Sequence, residues 1–143
     1  MRIYLDTCVW CRPFDKLSPR VREEAEAFLK ILNAVSKKEV VIIGSIVLDD
    51  EIDRVREDEK REAVKELCSR TVSEKIGNIP RTYRDIMDMT KLKVRDAAHL
   101  ACALKGSAEY FITADDEILR RSEEIAYRYS IKVCGPMEFL ERR

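Results

Sequence analysis

Val40-Val41-Ile42-Ile43-Gly44 sets four consecutive β-branched residues against a glycine that closes the expected strand, and this run decides the fold class. Branched side chains favour the pleated backbone. A strand that is apolar at every position, instead of at alternate ones, is covered on both faces. Ile3-Tyr4-Leu5, Tyr110-Phe111-Ile112-Thr113 and Ile131 to Cys134 read in the same way. Between these runs the period changes to that of helices. Val21 to Val35 carries Ala25, Phe28, Leu29 and Leu32 on one stripe, and further helices are expected over about Ile46 to Val55, Glu57 to Ser69, Tyr83 to Met89, Asp96 to Leu104 and Glu117 to Tyr129. Pro13 and Pro19 mark a turn region after the first strand, Gly77, Asn78 and Pro80 mark a loop, and Pro136 opens a short terminal helix. Doubly covered strands alternating with helices predict a three-layer α/β/α sandwich on an open parallel sheet. With no repeat or linker, residues 1–143 read as a single domain.

Composition excludes several classes of function. Lysine plus arginine equals aspartate plus glutamate, 27 each, so any nucleic acid must be held by a local patch and not by overall charge. No apolar run reaches the length of a bilayer span, and Met1-Arg-Ile-Tyr-Leu-Asp6 has no signal-peptide stretch; a cytoplasmic protein without membrane contact is expected. Cys8 and Cys11 form a C-x-x-C, but Cys68, Cys102 and Cys134 are scattered and His99 is the one histidine. A structural zinc site would need a second close pair, so the thiols read as small buried side chains near the end of a strand, with a thioredoxin-like redox pair at Cys8 and Cys11 as the alternative. Four glycines, none in a phosphate-cradling loop, exclude the dinucleotide and P-loop classes, and the absence of G-x-S-x-G excludes the common serine hydrolases.

Open parallel sheets bind ligands beyond the carboxyl ends of their strands. The residues there are acidic: Asp6 after the first strand, Asp115 and Asp116 after the Tyr110 strand, and Asp49, Asp50, Glu51 and Asp53 on the helix after Gly44-Ser45. Each aspartate has an ordinary explanation as a turn former or helix cap. Glu51 does not. At 100° per residue it falls inside the apolar arc of Val47, Leu48, Ile52 and Val55, and an inward carboxylate must be paired, neutralised or bound to a cation. Asp96 heads a helix that is apolar or small on all sides, so its N-terminus lies deep in the fold.

Asp6-Thr7 after a short first strand, Ser45 six positions before Glu51, Asp96-Ala-Ala-His-Leu-Ala, and Phe111-Ile-Thr-Ala-Asp115 occur in the order of the four acidic motifs of PIN domains. The chain resembles that family from residue 1 to about 140, its Gly135-Pro-Met-Glu-Phe-Leu segment included. The resemblance implies that Asp6, Glu51, Asp96 and Asp115 form a metal-binding, catalytic quartet for Mg²⁺ or Mn²⁺, with Asp116 as rival to Asp115 and Thr7 and Thr113 as supporting hydroxyls. It implies a ribonuclease acting on RNA, and for the VapC-type members a homodimeric toxin held by a small antitoxin protein. Carboxylates are the ligands such hard cations prefer. Arg12, Lys16, Arg54, Lys93 and Arg95 adjoin the acids in sequence and form the expected phosphate-binding rim, the plain alternative being solvated surface charge. Trp10 offers a base-stacking surface or packing at a strand edge or dimer surface, and His99 reads as a core histidine. Two competing readings remain at this level: a catalytically silent PIN fold serving as an RNA-binding or scaffold module, and a receiver-like phosphoacceptor. The latter would need an acidic pair after the first strand, where only Asp6 stands.

Overall fold

A computed structural model describes all residues, 1–143. Its strands β1 (Arg2–Leu5), β2 (Val41–Ser45), β3 (Val72–Ile76), β4 (Tyr110–Ile112) and β5 (Lys132–Cys134) form one sheet in the order β3-β2-β1-β4-β5, with every neighbouring pair parallel. Alternate residues point to opposite faces. Ile3, Leu5, Ile42, Tyr110 and Ile112 enter one cluster of 18 buried residues, whereas Tyr4, Ile43, Phe111 and Val133 enter a second cluster of 17. Two cores of near-equal size, one on each face, make the molecule the three-layer α/β/α sandwich that the strand composition predicts. The first core is closed by α1 (Thr7–Cys11), α2 (Pro19–Ser36), α3 (Ile46–Asp53), α4 (Asp58–Thr71) and α9 (Pro136–Arg142). The second is closed by α5 (Tyr83–Thr90), α6 (Val94–Lys105), α7 (Asp116–Leu119) and α8 (Ser122–Tyr129). No helix is long and apolar enough to cross a membrane.

The strand order reverses at β1, which has β2 on one side and β4 on the other. The crevice for a ligand therefore opens beyond Leu5 and Ile112, between the two loops that carry Asp6 and Asp115.

Three local features differ from the sequence reading. β3 is an additional strand; its Val-Ser-Glu-Lys-Ile sequence is exposed at its three central positions, as suits a charged edge strand, and carries no apolar run to announce it. Gly44 does not end β2 but lies within it, where β3 comes close: a Cβ built there meets Val72 Cγ1 at 2.9 Å. The helix expected over Glu117 to Tyr129 breaks between α7 and α8, because Arg121 turns inward to donate to the Thr90 carbonyl at 2.6 Å and to the Glu117 carbonyl at 3.0 Å. Of the readings open for Trp10, packing beside its strand is the one the structure bears out, and the ring is not available to a base. It is fully buried, packs edge-on against Phe28 and donates its indole N–H to the Leu5 carbonyl at 3.2 Å.

Gly44→Ala forces the added methyl onto Val72 and is expected to destabilise the protein by about 1–3 kcal/mol, the range for overpacking. Adding Val72→Ala should recover most of that loss in urea unfolding. Equal stability of Gly44→Ala and wild type would show that β3 yields without cost.

Candidate active site

Three loops and one helix end meet at the crevice. Asp6 leaves β1 as the N-cap of α1: its Oδ1 accepts from the Thr7 backbone N–H at 2.8 Å and its Oδ2 from the Thr113 hydroxyl at 2.7 Å. Asp115 caps α7, accepting from the Glu117 N–H at 2.8 Å, while its own N–H donates to Thr113 Oγ1 at 3.0 Å. Asp96 lies in the first turn of α6. These three acids share helix N-termini, where unpaired N–H groups favour negative charge. Glu51 has the opposite situation, in the last turn of α3, and its charge has to be met by side chains. It is. Its Oε1 accepts from the Thr7 hydroxyl and from His99 Nε2, both at 2.5 Å, and Arg95 Nη1 stands 3.5 Å from Oε2.

Asp6, Glu51 and His99 each bring a ligand-type atom within 4.8 Å of the others, His99 Nε2 lying 3.8 Å from Asp6 Oδ1. Of the four expected acids, two therefore stand in this close group, and His99 is the third member. Asp96 and Asp115 face it through charge. Burial raises the Asp96 carboxyl to about 6, and the nearby charges of Asp6 and Asp115 add to the rise against the opposing pull of His99. Burial also pushes Glu51 upward, but the hydrogen bond and charge of His99, with Thr7 and Arg95, outweigh it and bring the group down to about 2. His99 moves in the complementary direction: burial lowers it, and the bond to Glu51 together with the charge of Asp6 raises it above its ordinary value. Glu51 and His99 thus form a part-buried hydrogen-bonded pair, beside an aspartate surrounded mainly by charge of its own sign.

The remaining candidate residues divide clearly. Asp116 is exposed and turned outward, in a two-pronged pair with Arg20 at 2.9 and 3.1 Å, whereas Asp115 is the member of the tandem whose charge acts on Asp96. Thr7 and Thr113 donate to Glu51 and Asp6 as described. Arg95 reaches the site. Arg12 is engaged by Asp15 and Glu24, both at 2.8 Å, and Arg54 pairs with Asp50 at 3.2 Å. Lys16 and Lys93 are exposed. Cys8 lies 3.6 Å from both Asp6 Oδ2 and Thr113 Oγ1 and accepts from the Ala114 N–H at 3.3 Å; burial keeps its thiol protonated. All five cysteines are free.

His99, read from the sequence as a core histidine, is buried as that reading expects and also bonds Glu51. His99 follows Asp96 by three residues, so both face the same side of α6. That spacing was the available signal, and the apolar surroundings of the helix masked it.

The PIN domain family model matches residues 3–124, and the chain belongs to that family, whose members are generally metal-dependent nucleases. No curated protein matches in sequence. Among solved structures, the chain is similar to one in the crystal structure of VapBC2 from Rickettsia felis bound to a DNA fragment from their promoter. The TM-score is 0.53 and the identity 13%, over 84% of this chain and 92% of that one. At that identity the likeness is one of fold.

The raised Asp96 has a testable consequence for the metal-free protein. Its native form binds a proton that the unfolded chain has already released between about pH 4 and 6, so its contribution falls as pH rises through that window and stays reduced above it. Asp96→Asn should therefore melt about 2–4 °C above wild type at pH 7.5 in EDTA, allowing for solvent screening of a half-buried group, and show no advantage at pH 4. Glu51 acts oppositely, its stabilisation being lost as pH falls from about 4.5 to about 2, and it is common to both proteins. A variant no more stable than wild type at pH 7.5 would contradict the raised Asp96 carboxyl.

Proposed function

We propose that this protein is a divalent-metal-dependent endoribonuclease that hydrolyses phosphodiester bonds of RNA, with Asp6, Glu51, Asp96 and Asp115 as the groups that hold Mg²⁺ or Mn²⁺. The observation that carries the reading is the convergence of carboxylates at the reversal of strand order, with the Asp96 carboxyl raised by burial and by the charges of Asp6 and Asp115. The donor set fits a hard cation. Its available atoms are carboxylate oxygens, the His99 ring is engaged by Glu51, and the Cys8 thiol is kept protonated. When bound, such an ion supplies Lewis-acid polarisation of a phosphoryl oxygen and neutralises the acids.

The chain's own groups do the rest. Thr113 and the Thr7 N–H hold both oxygens of Asp6 and fix its plane. Thr7 and His99 fix one oxygen of Glu51. Arg95 offers positive charge to the phosphates, which overall neutrality would otherwise leave unattracted, and the exposed Lys93 and Lys16 are assigned to the same rim. Arg54 and Arg12 are assigned weaker parts in that rim because carboxylates already engage them.

A toxin role in the cytoplasm, with a small antitoxin protein and a homodimeric assembly, belongs to the same proposal. The similarity in fold to a chain of VapBC2 supports it. So does an apolar depression of about 480 Å³ lined by Ile46, Val47, Ile79, Val94 and Ala98, which opens beside Glu51 and Arg95 and suits a protein partner.

Wild-type protein should cleave single-stranded RNA in Mn²⁺ and not in EDTA, and Asp6→Asn should lower cleavage to the metal-free background. Equal activity of Asp6→Asn and wild type would sink the nuclease assignment. Mn²⁺ should also raise the melting temperature of wild type and leave Glu51→Gln/Asp96→Asn unchanged, since only the native state gathers the ligands.

A further inference from the structure

Behind the carboxylates lies a second, wholly buried constellation. Tyr4 on β1 places its hydroxyl 2.6 Å from Ser45 Oγ and 2.6 Å from His99 Nδ1, and the other nitrogen of that ring bonds Glu51 Oε1. Tyr4, Ser45 and His99 are all at most 1% exposed. Ser45 is the N-cap of α3, its Oγ accepting the Leu48 N–H at 3.1 Å, and Glu51 lies at the far end of that helix. The contacts close a ring: Ser45, the α3 backbone, Glu51, His99, Tyr4 and Ser45 again. It ties β1, β2, α3 and α6 together, and so links three of the four segments that carry the acids.

We propose that Tyr4, Ser45 and His99 are a positioning relay that clamps Glu51 Oε1 and thereby presents the second oxygen, Oε2, in one fixed orientation to a bound cation. This rests on the reading of Glu51 as a metal ligand. The relay works in either protonation state of the ring. A neutral His99 donates from Nε2 to Glu51 and accepts the Tyr4 O–H at Nδ1; a charged one donates from both nitrogens, with Tyr4 then donating to Ser45. Every buried polar side-chain atom has a partner, so the network is complete, the condition under which such networks impose one geometry. Tyr4 is also held from behind, its ring stacked on Phe111 at 5.5 Å and 9°, and Phe at position 4 would keep that stacking while deleting the relay's centre. Partners standing behind a ligand in this manner typically change metal affinity or activity by about 10–100-fold when removed.

The test compares Tyr4→Phe, His99→Gln and His99→Leu with wild type, using Mn²⁺ alone in calorimetry and NMR of the metal-free protein. With near-ultraviolet circular dichroism confirming the fold, Tyr4→Phe and His99→Leu should bind Mn²⁺ about 10–100-fold more weakly. His99→Gln, whose amide still donates to Glu51, should recover part of the difference. RNA turnover should fall in kcat, with KM changed by no more than about twofold, because the relay orients a ligand and does not touch substrate. Metal-free wild type should show a protected His99 Nε2–H proton that Tyr4→Phe exposes to exchange. Wild-type Mn²⁺ affinity in a folded Tyr4→Phe and a folded His99→Leu would overturn the relay, as would an unprotected Nε2–H in wild type. A protected proton lost in Tyr4→Phe, in a wild type that binds no Mn²⁺, would uphold the buried clamp and defeat the metal reading alone. Should Tyr4→Phe fail to fold, the contrast between His99→Gln and His99→Leu decides.

Discussion

Glu51 bonded to His99 is the contact on which the site depends. A carboxylate at the C-terminal end of a helix, pushed towards the interior by the apolar arc around it, opposes both the helix dipole and the cost of losing water. The Glu51–His99 bond removes both objections at once, and Thr7 adds a second donor to the same oxygen. Without that pairing, Asp6, Glu51, Asp96 and Asp115 would crowd one crevice with only the three helix N-termini and Arg95 against them. With it, the imbalance narrows to the aspartates. At Asp96, burial and the charges of Asp6 and Asp115 raise the carboxyl to about 6.

The sheet supplies the place. Because β1 is central and the order turns around it, the first aspartate after β1 and the loop after β4 must open into the same crevice. Thr113 makes this concrete: its hydroxyl donates to Asp6 and accepts from the Asp115 N–H, stapling one loop to the other. α6 then delivers Asp96 at its N-terminus and His99 three residues later, so one helix brings both an acid and the partner of another acid. Apolar residues decide where each acid stands, and polar ones decide how its oxygens are turned.

Much of this was legible in the sequence. Continuous β-branched runs give the parallel sheet, because only a strand covered on both faces can be apolar throughout, and Glu51 announces itself by interrupting an apolar arc. What stayed hidden is equally physical. β3 is an edge strand with exposed Ser73, Glu74 and Lys75, so no hydrophobic pattern marks it. Gly44 resembles a stop signal, yet its missing Cβ admits a neighbouring strand 28 residues away, a contact that local reading does not contain. Trp10 and His99 were both ambiguous for one reason: a residue with an apolar body and a polar edge fits core and site alike, and the partner that decides between them is distant in the chain. For Trp10 the partner is a backbone carbonyl. For His99 it is Glu51, 48 positions away. Asp115 and Asp116 look alike in the sequence; what distinguishes their surroundings is Arg20, which reaches Asp116 from a helix on the other face of the sheet.

The central claim is that these carboxylates are arranged to receive a cation. The most direct measurement is an anomalous-difference map from crystals equilibrated with Mn²⁺. A peak ~2.1 Å from carboxylate oxygens of Asp6 and Asp96, with Glu51 still bonded to His99, is the expected result. A map with no peak in the crevice at saturating Mn²⁺, or with peaks only at surface carboxylates, would contradict it.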